Sequence, residues 1–276
     1  MRAAVSSLRE LVLEGSGRKL RAGICREEGM IMLFLRSLSF NVFFYVSSML
    51  FCVLLIFFCW LPRTWVQRLI VGWLTCEIWA LGVVAGVRFE VRGRENLPPG
   101  PAILASKHQS AWDTGIFYLL VSDPAYVLKK ELIWLPFYGW LLKRVEMVAV
   151  DRSAGASALK SMIRQARRAL DKKRHVIIFP EGTRGATGTK GHYHPGVAAL
   201  DRAFDQQVVP VALNSGLYWP RRSFVKRPGT IIIEFLPAMP KGLERKTFMA
   251  DLENRIETAT DRLLEEGARG DLSQAG

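Results

Sequence analysis

The chain has 276 residues, half of them hydrophobic, and 38 Lys and Arg against 25 Asp and Glu give it a net charge of +13. That length holds one sizeable globular domain plus an appendage, since domains usually take roughly 100–200 residues. A soluble nucleic-acid binder can carry such a charge but not the long apolar stretch that follows Arg36, and four cysteines without paired spacing (Cys25, Cys52, Cys59, Cys76) argue for reduced thiols rather than a disulfide scaffold.

Residues 1–29 are rich in Arg, Gly, Ser and Glu and show no hydrophobic period, so they read as a basic N-terminal extension without fixed structure. Leu38–Leu61 carries no charge. A run of about 18 or more such residues reads as membrane-embedded. It is longer than a signal-peptide core and has no small-residue cleavage signature after it, so it reads as a retained anchor. A second apolar run, Leu69–Val87, is broken only by Thr75 and Glu77, and the two runs define a helical hairpin over residues 30–88. Glu77 at mid-depth costs ~2.5–3.5 kcal/mol, so this arm is expected to lie shallow, tilt along the interface or pack against its partner. Trp60, Trp65, Trp73 and Trp79 supply rings suited to headgroup depth. Arg18, Lys19, Arg21, Arg26 and Arg36 precede the hairpin and Arg88, Arg92 and Arg94 follow it, which places both flanks on the cytoplasmic side.

Residues 89–276 form the remaining domain. Short β-rich segments are predicted at Phe89–Val91, Ala102–Ser106, Ala125–Leu128, Met147–Val150, Val176–Phe179, Val208–Leu213 and Ile231–Phe235. Helical spacing falls between them. Ser153–Lys173 puts Leu159, Met162, Ile163, Ala166, Ala169 and Leu170 on one face, Gly196–Phe204 is a shorter helix, and Arg245–Glu266 closes the chain. The alternation implies an α/β fold with a largely parallel sheet flanked by helices, whose functional residues gather beyond the strand ends.

Past the second predicted strand comes His108-Gln109-Ser110-Ala111-Trp112-Asp113, and past the fifth comes Phe179-Pro180-Glu181-Gly182-Thr183-Arg184. An imidazole can take the proton of a weakly nucleophilic alcohol, and a carboxylate on its other ring nitrogen fixes the tautomer and stabilises the imidazolium. Five residues separate His108 from Asp113, which on a continuous helix would hold the side chains apart; the motif therefore belongs where a strand end turns into a helix. No Gly-x-Ser-x-Gly elbow surrounds any serine, which weighs against a serine-hydrolase route.

Lys107–Asp113, Glu146–Arg152, Phe179–Arg184 and Val208–Gly216 together resemble, in order, the four blocks of the glycerolipid acyltransferase family. The resemblance runs from about Phe89 to Phe235 and is most specific in its first and third blocks. It implies a cytoplasm-facing acyltransferase domain over residues 89–276, in a cell membrane such as the bacterial inner membrane. The expected reaction passes a fatty acyl group from coenzyme A or acyl carrier protein to the sn-2 hydroxyl of lysophosphatidic acid, yielding phosphatidic acid. His108 is the expected base and Asp113 its orienter. Glu181 is expected to position backbone donors or the acceptor's glycerol hydroxyl, and Gly182 to permit close backbone approach, with an amide there or near Ser110 as oxyanion donor. The resemblance carries Arg184 and Lys129 over as contacts to the acceptor phosphate, with Lys130 as a stand-in and Arg152 as a third contact.

Two departures from the family pattern stand out: Lys107 occupies a position where Asn is frequent, and His194 one where Lys is common. His192-Tyr193-His194 lacks further ligands at metal spacing, so no metal or cofactor is expected. Membrane lipid is the expected neighbour, and nucleic acid is not expected as a partner. The alternatives are an acyltransferase for another lysolipid, such as a lyso-ornithine lipid or a lysophospholipid with a larger head group, and a non-enzymatic protein that binds anionic lipid through its basic surface.

Overall fold

In a computed structural model of the chain, the backbone is described for residues 2–58 and 60–274, and side chains for residues 29–58 and 60–270. The expected basic extension, apart from Gly29, thus falls outside the described side chains, as do Cys25 and Cys59. Two long helices come first, α1 (Arg2–Phe57) and α2 (Arg63–Ala85). Residues Gly29–Phe57 of α1 and all of α2 are long and apolar enough to cross a membrane. Pro62 immediately before α2 supplies a preset φ, and Gly86, at φ +72°, ends the helix in the left-handed conformation that lacks a Cβ penalty.

A seven-stranded sheet follows: β1 (Val87–Arg92), β2 (Ile103–Ser106), β3 (Ala125–Lys129), β4 (Val148–Val150), β5 (Val176–Ile178), β6 (Val208–Leu213) and β7 (Gly229–Phe235). The spatial order is β1-β7-β6-β2-β5-β3-β4. Strands β2 to β6 run parallel, whereas β7 is antiparallel to β6 and carries β1 parallel to itself. β2, β5 and β6 are buried along their whole length, which explains their continuous apolar composition. Helices α3 (Trp112–Leu120), α4 (Tyr138–Arg144), α5 (Gly155–Asp171), α6 (Gly196–Ala203), α7 (Ser215–Tyr218) and α8 (Arg245–Gln274) flank it. One core cluster joins the hairpin to β1, α3 and β7; another packs α5, α6 and α8 on the sheet. The fold is the expected largely parallel sheet flanked by helices with an N-terminal hairpin, and α4 and α7 are elements the hydrophobic spacing did not announce.

The hairpin is bound to the domain at both ends. Near its open end, Ser37 and Asn41 of α1 meet the loop between β6 and β7: Lys226 N–H donates to Ser37 Oγ at 3.0 Å and Lys226 Nζ to Asn41 Oδ1 at 2.9 Å. Phe40 packs edge-on against Trp219 of the same loop region, with centroids 5.3 Å apart. At the turn, Arg63 pairs with Asp123, and Arg144 of α4 donates to the Leu61 carbonyl. Along α2 a face comprising Val66, Ile70, Leu74, Glu77, Ala80, Leu81 and Ala85 is buried. Glu77 thus faces its partner helix, where Ser47 Oγ donates to its carboxylate. Gly115 of α3 allows the close approach, because a Cβ there would come within 2.9 Å of Leu74.

A second buried cluster anchors the hairpin turn. Arg174, which reads in sequence as one more surface cation, is almost fully buried and donates to Asp123 Oδ1 at 2.7 Å and to the Glu146, Val145 and Pro124 carbonyls. Its five donors in a planar fork suit this convergence of acceptors. His175 beside it accepts from the Ala102 amide through Nδ1 at 3.3 Å, a structural contact.

Candidate active site

The parallel strands end on one side of the sheet, and their ends bring the motifs together. β2 leads into the loop that holds His108, β3 ends at Lys129, β4 precedes Asp151-Arg152, and β5 leads into Phe179–Arg184. His108, Lys129, Arg152, Gly182, Thr183 and Arg184 all line one cavity of about 490 Å³. The strand-to-helix placement inferred for the first block is what the fold provides, since α3 begins at Trp112.

Asp113 lies in the first turn of α3 with its side chain fully buried. Its Oδ2 sits 3.0 Å from His108 Nδ1 and accepts the backbone N–H groups of Gln109 at 2.7 Å and Ser110 at 2.8 Å. One carboxylate oxygen thereby folds the loop and orients the ring. Nδ1 beside a carboxylate carries the proton, which leaves Nε2 as the acceptor. The ring stacks on Phe179, centroids 3.9 Å apart at 16°, which fixes the plane of the ring. Ser110 Oγ accepts from the Trp112 N–H at 3.2 Å, a turn contact at the start of α3.

Glu181 lies beneath the histidine. Its Oε1 accepts from the His108 N–H at 3.1 Å and its Oε2 from Lys107 Nζ at 3.2 Å, so both oxygens hold the first block. Its carboxylate is buried and is not among the groups that line the cavity. Burial holds its carboxyl above the usual range, while Lys107 and the His108 N–H pull the other way. The Gly185 amide donates to the His108 carbonyl at 2.8 Å, tying the third block to the first.

Gly182 adopts φ +67°, and a Cβ there would come within 2.6 Å of the Arg152 guanidinium, so glycine answers both the turn and the packing of Arg152 over it. Of the amides in the two stretches where an oxyanion donor is expected, those of Gly182 and Ser110 themselves are already engaged. The Gly182 N–H is committed to the Phe179 carbonyl at 2.9 Å and the Ser110 N–H to Asp113, because these amides build the turns that position the side chains. Arg184, Arg152 and Lys129 are exposed and supply the cationic donors of the cavity. Lys130 pairs instead with Asp151 at 3.4 Å. His194 lies near Arg152; burial, then the charges of Arg152 and His192, push its pKa down.

Away from these cations the cavity turns apolar. Phe51, Ile70, Trp73 and Leu74 of the hairpin face Leu128, Leu141 and Met147 of the domain across it. Tyr118 and Tyr126 add rings whose phenols burial pushes upward, and Tyr138 adds a third ring that stays 42% exposed. Sequence reasoning missed the Lys107 cluster: Nζ is 2.6 Å from Glu257 of α8, and the Tyr193 hydroxyl donates to the same carboxylate oxygen at 2.8 Å. It also missed Gln109, whose Oε1 accepts the Gly216 N–H at 3.1 Å and joins the first block to the fourth.

A histidine oriented by a carboxylate, cations on the same cavity wall and a greasy far end are the parts of a group-transfer site for amphiphiles, and comparison with known proteins defines the class. The family model described as Acyltransferase matches residues 88–214. The chain is 40% identical over 195 residues to a 1-acyl-sn-glycerol-3-phosphate acyltransferase of Pseudomonas aeruginosa, covering 71% of this chain and 76% of that one. It is 32% identical to the enzyme of that name from Limnanthes alba over 55% of this chain and 54% of the relative, so it spans about half the length of the plant protein. The crystal structure of the 1-acyl-sn-glycerophosphate acyltransferase of Thermotoga maritima shares the fold, with a TM-score of 0.67 at 21% identity over 83% of this chain and 96% of that one. The chain belongs to the 1-acyl-sn-glycerol-3-phosphate acyltransferase family.

Proposed function

We propose that this protein transfers a fatty acyl group from a thioester, on coenzyme A or acyl carrier protein, to the sn-2 hydroxyl of lysophosphatidic acid, making phosphatidic acid. The observation that carries this reading is the single cavity that holds the His108 ring and three cations at one end and hydrocarbon-compatible side chains at the other. The relatives named for this activity support it. His108 Nε2 takes the hydroxyl proton as the oxygen attacks the thioester carbonyl; the tetrahedral intermediate collapses to an ester, and the thiolate leaves with a proton returned from the imidazolium. Asp113 stabilises the charged ring without taking its proton. Glu181 and Gly182 position the histidine loop and Arg152. Arg184, Lys129 and Arg152 hold the acceptor phosphate, for which a planar guanidinium fork is suited. The acyl chain lies along the hairpin side of the cavity.

The domain divides as residues 1–29, 30–88 and 89–276 on this reading, with the hairpin serving as the membrane anchor. A hairpin crossing the bilayer would carry its turn roughly 35 Å from the domain, the length of a 23-residue helix. Here the turn contacts Asp123 and Arg144 of the domain, which supports a hairpin lying along the domain within one leaflet. The Lys and Arg flanking it favour the cytoplasmic face, and the Pseudomonas relative a bacterial inner membrane. The test is to supply purified protein with radiolabelled acyl donor and a panel of lysolipids. Labelled phosphatidic acid formed from lysophosphatidic acid in preference to the other acceptors is expected; transfer only to an acceptor lacking a phosphate monoester would overturn the assignment.

A further inference from the structure

The segment Glu131–Arg144 between β3 and β4 carries aromatic side chains that no helix or strand covers. Trp134 is 73% exposed, Phe137 56%, Leu135 48% and Trp140 36%. These are the wrong residues to leave in water, where contiguous apolar surface marks a binding face. The local backbone holds them outward. Phe137 has φ +61°, a conformation that costs a bulky residue energy and signals function where it persists. Gly139 packs so closely on the Ile133 carbonyl that a Cβ would lie 2.0 Å from its oxygen. The turn is tight, closed by the Tyr138 N–H to the Pro136 carbonyl at 2.6 Å.

Its neighbour says what covers it. Arg144, at the end of this segment, donates to the Leu61 carbonyl in the hairpin turn, where Phe57, Trp60 and Trp65 are also widely exposed. The aromatic segment therefore continues the apolar surface of the membrane hairpin. Cations rim both parts: Lys143 sits 5.4 Å from the Trp134 ring centroid, and Arg68 5.0 Å from that of Trp65. Indole with a neighbouring cation is the composition favoured where hydrocarbon gives way to anionic headgroups. From the same segment, Leu132 and the partly exposed Tyr138 line the cavity beside Phe51 and Cys52 of α1.

We propose that residues 132–140 form a second membrane-seated element, separate from the hairpin, which enters the same leaflet and makes the lateral doorway between bilayer and cavity. The lipid acceptor then passes from the leaflet to His108 between this segment and the hairpin without crossing bulk water. The occupant of the exposed face is the lipid leaflet, by continuity with the hairpin surface. This rests on the acyltransferase reading above only for the identity of the cargo.

The test uses the full chain with Trp134→Ser and Phe137→Asn combined; both side chains are exposed outside the cavity, and Asn is no bulkier than Phe in the γ-turn that residue 137 makes at φ +61° and ψ −54°. With lysophosphatidic acid embedded in phosphatidylcholine–phosphatidylglycerol vesicles, the apparent KM is expected to rise about tenfold or more, as membrane affinity scales with inserted apolar area. With a short-chain lysophosphatidic acid dissolved as monomers, kcat/KM should change by less than about twofold. Independently of activity, phospholipids brominated in the acyl chain should quench wild-type tryptophan emission more than that of Trp134→Phe. Equal losses on both acceptors, or quenching unchanged by Trp134→Phe, would overturn the doorway. So would a shift from oligomer to monomer in the double variant, which would assign the face to a second copy of the chain. Failure of wild-type protein to acylate any lysophosphatidic acid would instead count against the assigned reaction, and the quenching result would still stand.

Discussion

Lys107 and Glu257 are 150 residues apart in the chain and meet at 2.6 Å directly beneath the histidine loop, both almost fully buried. The lysine also reaches Glu181, so one cation serves two buried carboxylates. Removing it should strand them. Lys107→Met is expected to destabilise the protein by ~3–5 kcal/mol, the range for breaking a buried pair from one side. The loss should grow with pH. Glu181 already binds its proton more tightly in the folded protein than in the unfolded chain, and without Lys107 this difference widens, so folded stability drains away as pH rises above the ordinary carboxylate value. Thermal melts of wild type and variant at pH 5 and pH 8 check this; a gap that is larger at pH 5 would refute it.

Proton abstraction at His108 predicts a large loss with little disturbance of the fold. His108→Ala should lower the transfer rate by ~10²-fold or more, and Asp113→Asn, which fails to hold the imidazolium, by ~10²–10⁴-fold. Single-turnover transfer with unchanged circular dichroism is the measurement. Wild-type turnover in His108→Ala would remove the base from the mechanism.

Arg184 has no competing carboxylate partner among the described residues and lines the cavity beside His108. Arg184→Ala should raise the apparent KM for lysophosphatidic acid by about tenfold to a hundredfold, the equivalent of one charge-assisted contact of ~1.5–3 kcal/mol, with kcat largely kept. Steady-state kinetics with varied acceptor at fixed donor read this out. A change confined to the donor's KM would move Arg184 to the thioester side.

Lys226 joins the β6–β7 loop to α1, and burial pushes its pKa down to about 8 from an ordinary 10.5. Between those values the unfolded chain holds the proton more firmly than the folded protein, so folding releases it. The stability of wild type relative to Lys226→Met should be level below pH 8 and climb from there toward pH 10.5. Melting temperatures of the two proteins in the same detergent test this, and a difference that declines over that interval would contradict it.

The elements with strong local chemistry were legible. Val176–Phe179 and Val208–Leu213 are unbroken apolar runs because both faces of these strands are covered, and the His108 and Glu181 blocks fall at the strand ends where the sheet converges. Strand direction was not legible. Nothing in Ile231–Phe235 distinguishes a strand antiparallel to its neighbour from a parallel one, since period and hydrophobicity are the same either way. Tyr138–Arg144 escaped notice because Pro136 and a solid aromatic run hide its helical spacing. The burial of Arg174 and Lys107 could not be read from sequence, because it depends on Asp123 and Glu257, partners that only tertiary folding brings near. Nor could the sequence show that turn geometry engages the Gly182 and Ser110 amides locally.

Strand β1 stands at the border of the sheet and pairs with β7 alone among the described strands, Val87 opposite Gly229. The ribosome therefore delivers the greasy hairpin and its attached strand long before their mate has been translated. A nascent chain that stops short of residue 229 leaves β1 an open ladder of amides and carbonyls, so this border of the sheet closes only after most of the message has been read.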